Sequence, residues 1–234
     1  LVGSEMCIRD RRPTYRFGIL LLGTAQAFYA NLAQSISTAA QQHATANLTC
    51  QFDYILDRTP SAIATQIEQL AVQCDALAVV SFAHPLINAT LAQVRKAGVP
   101  VVALLSDIHE QALEPYVGQD NHVVGRTMGW LLARTCGARK GSVGILLGGH
   151  RFLGHQARVE GLHSYLAEHA PGLKPLEPLI NLDNSDITEE ATLDLLTRHT
   201  DLRGLCVVGG GGDGVINAPV SYTHLRAHET KANL

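Results

Sequence analysis

The sequence predicts an α/β fold of two lobes, each a parallel sheet flanked by helices, with the second lobe incomplete. Three observations predict it. Strand-length apolar runs alternate with stretches of helical periodicity along the chain. Those runs are continuously apolar, which means burial on both faces and hence parallel pairing. The alternation also restarts after Cys136, as it would on entering a second sheet.

Taken in order, Tyr15 to Leu22 (YRFGILLL) is the first strand. The helix after it is expected over Phe28 to His43, where Leu32, Ile36 and Ala39 or Ala40 recur at helical spacing. A second strand covers Leu48 to Leu56, and Thr59 followed by Pro60 reads as a cap with proline at the first helical position. The third strand is Asp75 to Phe82, its helix Pro85 to Ala97 with Gly98 as stop signal, and the fourth strand Val99 to Ser106. A short strand at Tyr116 to Gly118 leads into a helix over Asn121 to Cys136 that crosses between lobes. The second lobe has a strand at Ser142 to Gly148, a helix at Gln156 to His169 and one extended segment over Leu173 to Asn181. A helix at Ser185 to His199 and a strand at Gly204 to Gly210 complete it.

The two ends do not fit this pattern. Residues 1–11 (LVGSEMCIRDR) and 220–234 resemble translated read-through, and are expected to be foreign to the fold. On this reading residues 12–120 are the N-terminal lobe and residues 121–219 a partial C-terminal lobe.

Composition narrows the function classes. The 234 residues carry 18 basic and 21 acidic side chains, a net charge of −3, so the segment has no electrostatic footprint for nucleic acid. Its apolar runs are shorter than the roughly 18 residues a membrane helix needs, and no membrane partner is expected. Cys7, Cys50, Cys74, Cys136 and Cys206 are odd in number and widely spaced, and favour a reducing, cytoplasmic location.

Catalytic and cofactor motifs are missing. Gly209 to Gly214 (GGGGDG) formally meets the dinucleotide-loop pattern, but it follows the seventh strand, and four consecutive glycines satisfy it by accident. Lys140-Gly141-Ser142 has the order of a phosphate loop reversed, and no HExxH or GxSxG occurs between the ends. The histidines, among them His150, His155, His163 and His169, have no metal-ligand company and read mostly as surface residues. The expectation is a protein that is not an enzyme and has neither cofactor nor metal.

What remains is polar and aromatic, and falls at strand ends. Gln26, Phe28 and Tyr29 follow the first strand, His84 the third and Asp107 the fourth. Asp120 precedes the crossing helix, Arg158 follows the fifth strand, and Asp213 the seventh. In a doubly wound topology such points converge on one cleft. Rings pack on the C–H face of a sugar, carboxylates accept from its hydroxyls, and a guanidinium donates to adjacent oxygens. The competing reading is that each is merely a turn or cap residue.

Tyr116 to Leu132 (YVGQDNHVVGRTMGWLL), followed by Arg158 and Gly161 as R-x-x-G, resembles the effector-binding domain of lactose-repressor/galactose-repressor (LacI/GalR-type) transcription regulators. The resemblance spans about residues 14–218 and implies the periplasmic-binding-protein type I fold. It implies that Asp120 and Arg158 contact a sugar effector and that Phe28 and Tyr29 stack on it, although the family also takes purines and other small polar molecules. Gly211, Gly212 and Asp213 stand where that family commonly has Asn-Asp, leaving Asp213 as the substitute. A homodimer and an upstream helix-turn-helix that binds DNA are implied as well. The alternative is a periplasmic sugar-binding protein of an ABC transporter, which shares fold and cleft.

Overall fold

The computed structural model describes residues 12–23, 27–108 and 115–219. The expected foreign ends and Gln26 lie outside the described residues. The chain divides into two compact units, Leu1–Gly118 and Gln119–Leu234.

The first unit is built on a five-stranded, wholly parallel sheet of order β2-β1-β3-β4-β5. Its strands are β1 (Thr14–Leu22), β2 (Asn47–Ile55), β3 (Ala76–Val79), β4 (Val101–Leu104) and β5 (Tyr116–Val117). Helices α1 (Ala27–Gln41), α2 (Pro60–Gln73) and α3 (Pro85–Lys96) make the crossovers. In β1, Ile19, Leu20, Leu21 and Leu22 are all buried, so both faces of this interior strand are covered, as its unbroken apolar run requires. Gly18 is there for space: a Cβ would strike the side chains of Leu77 and Leu70, with Leu70 reaching in from α2.

The helix signals act through identifiable atoms. Thr59 caps α2, its hydroxyl accepting from the Ala62 amide at 3.4 Å, with Pro60 at the first position. Gly98 closes α3 with φ +93° and donates its N–H to the Arg95 carbonyl at 3.0 Å.

The second unit has a four-stranded parallel sheet of β6 (Gly141–Leu147), β7 (Leu173–Pro175), β8 (Leu179–Ile180) and β9 (Leu202–Val207). Strand β6 is central, with β9 on one side and β7 then β8 on the other. The single extended segment expected over 173–181 is thus two short strands. Leu176 still donates to the Val143 carbonyl at 2.8 Å, and pairing with β6 then lapses until Leu179. Helices α4 (Asn121–Cys136), α5 (Leu153–His169) and α6 (Ser185–Arg198) complete the unit, followed by a helical segment, α7, over 212–219. Its core is formed by Val143, Ile145 and Leu147 of β6, Leu162 and Leu166 of α5, and Cys206 and Val208 around β9.

Helices α4 and α5 touch backbone to backbone. A Cβ on Gly125 would run into the Arg158 carbonyl, one on Gly161 into the His122 carbonyl, and one on Gly129 would lie 2.9 Å from Tyr165 Cβ. At the far end of the pair Arg126 grips Glu168 with two hydrogen bonds of 3.1 and 2.9 Å, and Ser164 donates to the same carboxylate at 2.9 Å. The Arg126 hydrogen bonds, with Ser164, hold the Glu168 carboxyl down at about 2. A carboxyl held below its ordinary 4.5 stabilises the fold above that value, and the contribution fades as pH falls from 4.5 toward 2. The pair is solvent-exposed, so the effect is small. Comparing urea midpoints of the parent and Glu168→Gln from pH 6 to 3 should show the parent's advantage shrinking on acidification; parallel curves would exclude this role for the pair.

Candidate functional site

In a parallel sheet whose strand order turns back on itself, ligand-binding groups collect beyond the carboxyl ends of the strands at the turning point. The first unit turns between β1 and β3. Phe28 stands at the start of α1 just beyond β1, and its ring is 53% exposed. Tyr29 is buried instead, at 8%, and meets Phe28 edge-on with centroids 5.2 Å apart. His84 follows β3 and caps α3, its Nδ1 accepting from the Leu86 amide at 3.2 Å. Asp107 follows β4 and is half-buried. The turn that sets it there passes through Leu105 at φ +64°, braced by a 3.0 Å hydrogen bond from the Tyr116 hydroxyl to the Leu105 carbonyl. Phe28, His84 and Asp107 therefore share one end of the first sheet.

The second unit turns between β6 and β9, and there the polar groups form a connected cluster. Arg158, one turn into α5, donates from Nε to Asn121 Oδ1 at 2.8 Å and from Nη1 to the Val208 carbonyl at 3.0 Å. The glycine contacts make this possible, because only helices in backbone contact bring Arg158 within reach of Asn121 at the start of α4. Asp120, next to it, is exposed and caps α4, Oδ1 accepting from the Val123 amide at 3.0 Å. Asp213 is exposed in the first turn of α7, where a negative charge suits the helix dipole.

Two members of the cluster were not expected. Asp183, beyond β8, lies over the ends of β6 and β9: its carboxylate fills the space that a Cβ on Gly148 or Gly209 would need, and it accepts from the Gly210 amide at 2.7 Å. Leu182 and Asp183 both adopt left-handed backbone, φ +54° and +59°, a conformation costly for non-glycine residues and concentrated at functional sites. His155, read from the sequence as a surface residue, is tucked beneath Gly209 and against the Phe152 ring, 5.0 Å between centroids. Burial pushes its imidazole below the ordinary 6.5. The Asp183 carboxylate opposes that, Arg158 adds to it, and a hydrogen bond with the Gly149 backbone opposes it again. Asn181 ties the loops together, Nδ2 donating to Thr188 Oγ1 at 2.8 Å and to the Gly210 carbonyl at 2.9 Å.

The family pattern described as "Periplasmic binding protein domain" matches residues 17–221. The chain belongs to the periplasmic binding protein domain family. No curated protein sequence matches it. Solved structures similar to this periplasmic binding protein domain include an ABC transporter solute-binding protein from Agrobacterium vitis bound with α-D-tagatopyranose. The two are 21% identical over 87% of this chain and 71% of that one, with TM-score 0.75. Another, from Actinobacillus succinogenes with bound D-allose, is 20% identical over 92% and 74%, TM-score 0.74. A third, from Burkholderia graminis in complex with D-arabinose, is 22% identical over 86% and 69%, TM-score 0.77.

These findings correct the expectation of a LacI/GalR-type regulator domain and of a role in transcription, since the similar structures are transporter solute-binding proteins. The physical reason lies in the motif that carried the resemblance. Asn121, Gly125 and Gly129 on one side and Arg158 and Gly161 on the other encode the close contact of α4 with α5. They report the fold of a periplasmic binding protein domain and carry nothing specific to gene regulation. The DNA partner and the homodimer were implied by the regulator reading and lose their support with it.

Proposed function

We propose that this chain is the sugar-binding domain of a solute-binding protein that serves an ABC transporter. The observation that carries the reading is the Arg158 cluster at the carboxyl ends of β6, β8 and β9, where a guanidinium is fixed in place by Asn121 and the Val208 carbonyl. A fixed guanidinium suits a polyhydroxylated ligand, because little side-chain freedom is lost when its donors meet hydroxyl oxygens. The sugars seen in the similar structures support the same ligand class. Phe28, Tyr29, His84, Asp107, Asp120, Arg158 and Asp213 remain the proposed site residues, with Phe28 the ring best exposed to stack on a sugar face.

This reading moves the proposed location out of the cytoplasm. The free cysteines that favoured a reducing compartment are compatible with an oxidising one. Cys74, Cys136 and Cys206 are buried, and burial pushes Cys206 up to about 12 and raises Cys50 and Cys74, so these last three thiols yield little reactive thiolate.

Thermal melting of the chain with D-tagatose, D-allose and D-arabinose tests the function. A sugar at 100 times its Kd stabilises the folded state by about 2.7 kcal/mol, and at least one of the three should raise the melting temperature. In Arg158→Ala that shift should vanish. Silence from all three sugars, or a full shift in Arg158→Ala, would count against the reading.

A further inference from the structure

The amino ends of the second sheet form a basic groove. Lys140 precedes β6, Lys174 lies in β7 and Asp201 precedes β9, and with Gly141, Pro171 and Gly172 they line a space of about 520 Å³. Strand β6 is seven residues long. At 3.3 Å of rise per residue the groove therefore stands about 20 Å from the Arg158 cluster, at the opposite end of the sheet. Two glycines make room for basic stems. A Cβ on Gly172 would lie 2.9 Å from Lys140 Cγ, and one on Gly141 would lie 2.7 Å from Arg203 Cγ.

Four of the 18 basic residues of a chain with net charge −3 gather at this end: Arg139, Lys140, Lys174 and Arg203. The fold accounts for Arg139. Its Nε donates to the Cys136 carbonyl and its Nη2 to the Thr135 carbonyl, both at 3.0 Å, which answers the C-terminus of α4. Arg203 donates from Nε to the Lys140 carbonyl at 2.9 Å. Lys140 and Lys174 are exposed, and neither forms an ion pair among the described residues. The carboxylate in the groove, Asp201, is engaged by Ser142, whose Oγ lies 3.0 Å from both of its oxygens. Three cations thus stand against one occupied carboxylate, in a concavity that concentrates their field.

A cation would be repelled there, and an apolar group would cover the ammonium groups without answering them. A phosphate group suits the donors present. Its oxygens accept several hydrogen bonds at once, lysine binds it as a point charge, and the guanidinium fork matches its geometry. We infer that this groove is a second binding site, for a phosphate group free or carried by a small ester, with Lys140 and Lys174 as its main contacts. The volume falls in the range of small-molecule sites and leaves room for the body of an ester.

Calorimetric titration of the full chain with inorganic phosphate and with glycerol 3-phosphate, at ionic strength held constant with sodium chloride, tests the site. The parent should bind at least one of them, and the tighter of the two names the source of the phosphate group. The double variant Lys140→Gln, Lys174→Gln should weaken that binding at least tenfold. Lys96→Gln, at the end of α3 in the first unit, should leave it within twofold. Should the double variant melt below the parent, the single substitutions are read instead, each with at least a threefold loss expected. No binding by the parent, or an unchanged Kd in the lysine variants, would overturn the inference. So would an equal loss in Lys96→Gln, since diffuse attraction by surface charge would then explain the binding. The phosphate readout is separate from the sugar response, so either this inference or the sugar-binding reading can fail while the other stands.

Discussion

Gly125→Ala should destabilise the second unit by about 2 kcal/mol or more, although alanine is the better helix former by about 1 kcal/mol. Residue 125 sits in the interior of α4, where helix propensity alone predicts a gain. The packing predicts a loss, because the new methyl would meet the Arg158 carbonyl, which as backbone cannot turn aside. Relief requires α5 to move off α4, separating Asn121 from Arg158 and opening the core around Leu162. The two effects differ in sign, so the experiment discriminates cleanly. Trp130, the single tryptophan, lies on α4 and reports the unfolding of this unit by fluorescence. A lower urea midpoint at unchanged slope is expected, and a midpoint equal to or above the parent's would show that the helices are not in backbone contact.

Leu20→Ala should cost about 2–5 kcal/mol in the first unit. Leu20 is wholly buried in the interior strand β1, between β2 and β3, and its removal leaves a cavity that paired neighbours on both sides cannot close. Val72→Ala in α2 is the companion measurement: Val72 is 87% exposed, and its truncation should stay within about 0.5 kcal/mol. Chemical denaturation followed by far-ultraviolet circular dichroism reads both. Similar losses for the two variants would contradict the placement of β1 in the interior of its sheet.

The strands were legible in the sequence where burial on both faces leaves a continuous apolar run, as in β1 and β6. They were less so at their ends. The run from Asp75 to Phe82 extends beyond the ladder, which stops at Val79 because β4 pairs only with Leu77 to Val79. The lapse between β7 and β8 includes Pro178, a signal present in the chain but weaker than the apolar residues around it. At the site, Arg158 was legible because its neighbour Gly161 marks the contact between helices. His155 and Asp183 were not. They lie 28 residues apart in the chain, joined only by the register of β6 with its neighbours, and the left-handed turn at Leu182 and Asp183 carries no glycine to announce it.

The interrupted strand β7–β8 has a further consequence, for association between chains. It lies on the outer side of β6, where an uninterrupted strand would offer a row of N–H groups as a template for a strand from another molecule. Two prolines within four residues withhold N–H groups from that row, and the lapse between Leu176 and Leu179 breaks its straight line. That side of the second sheet is therefore a poor seed for strand addition and for the aggregation that follows from it.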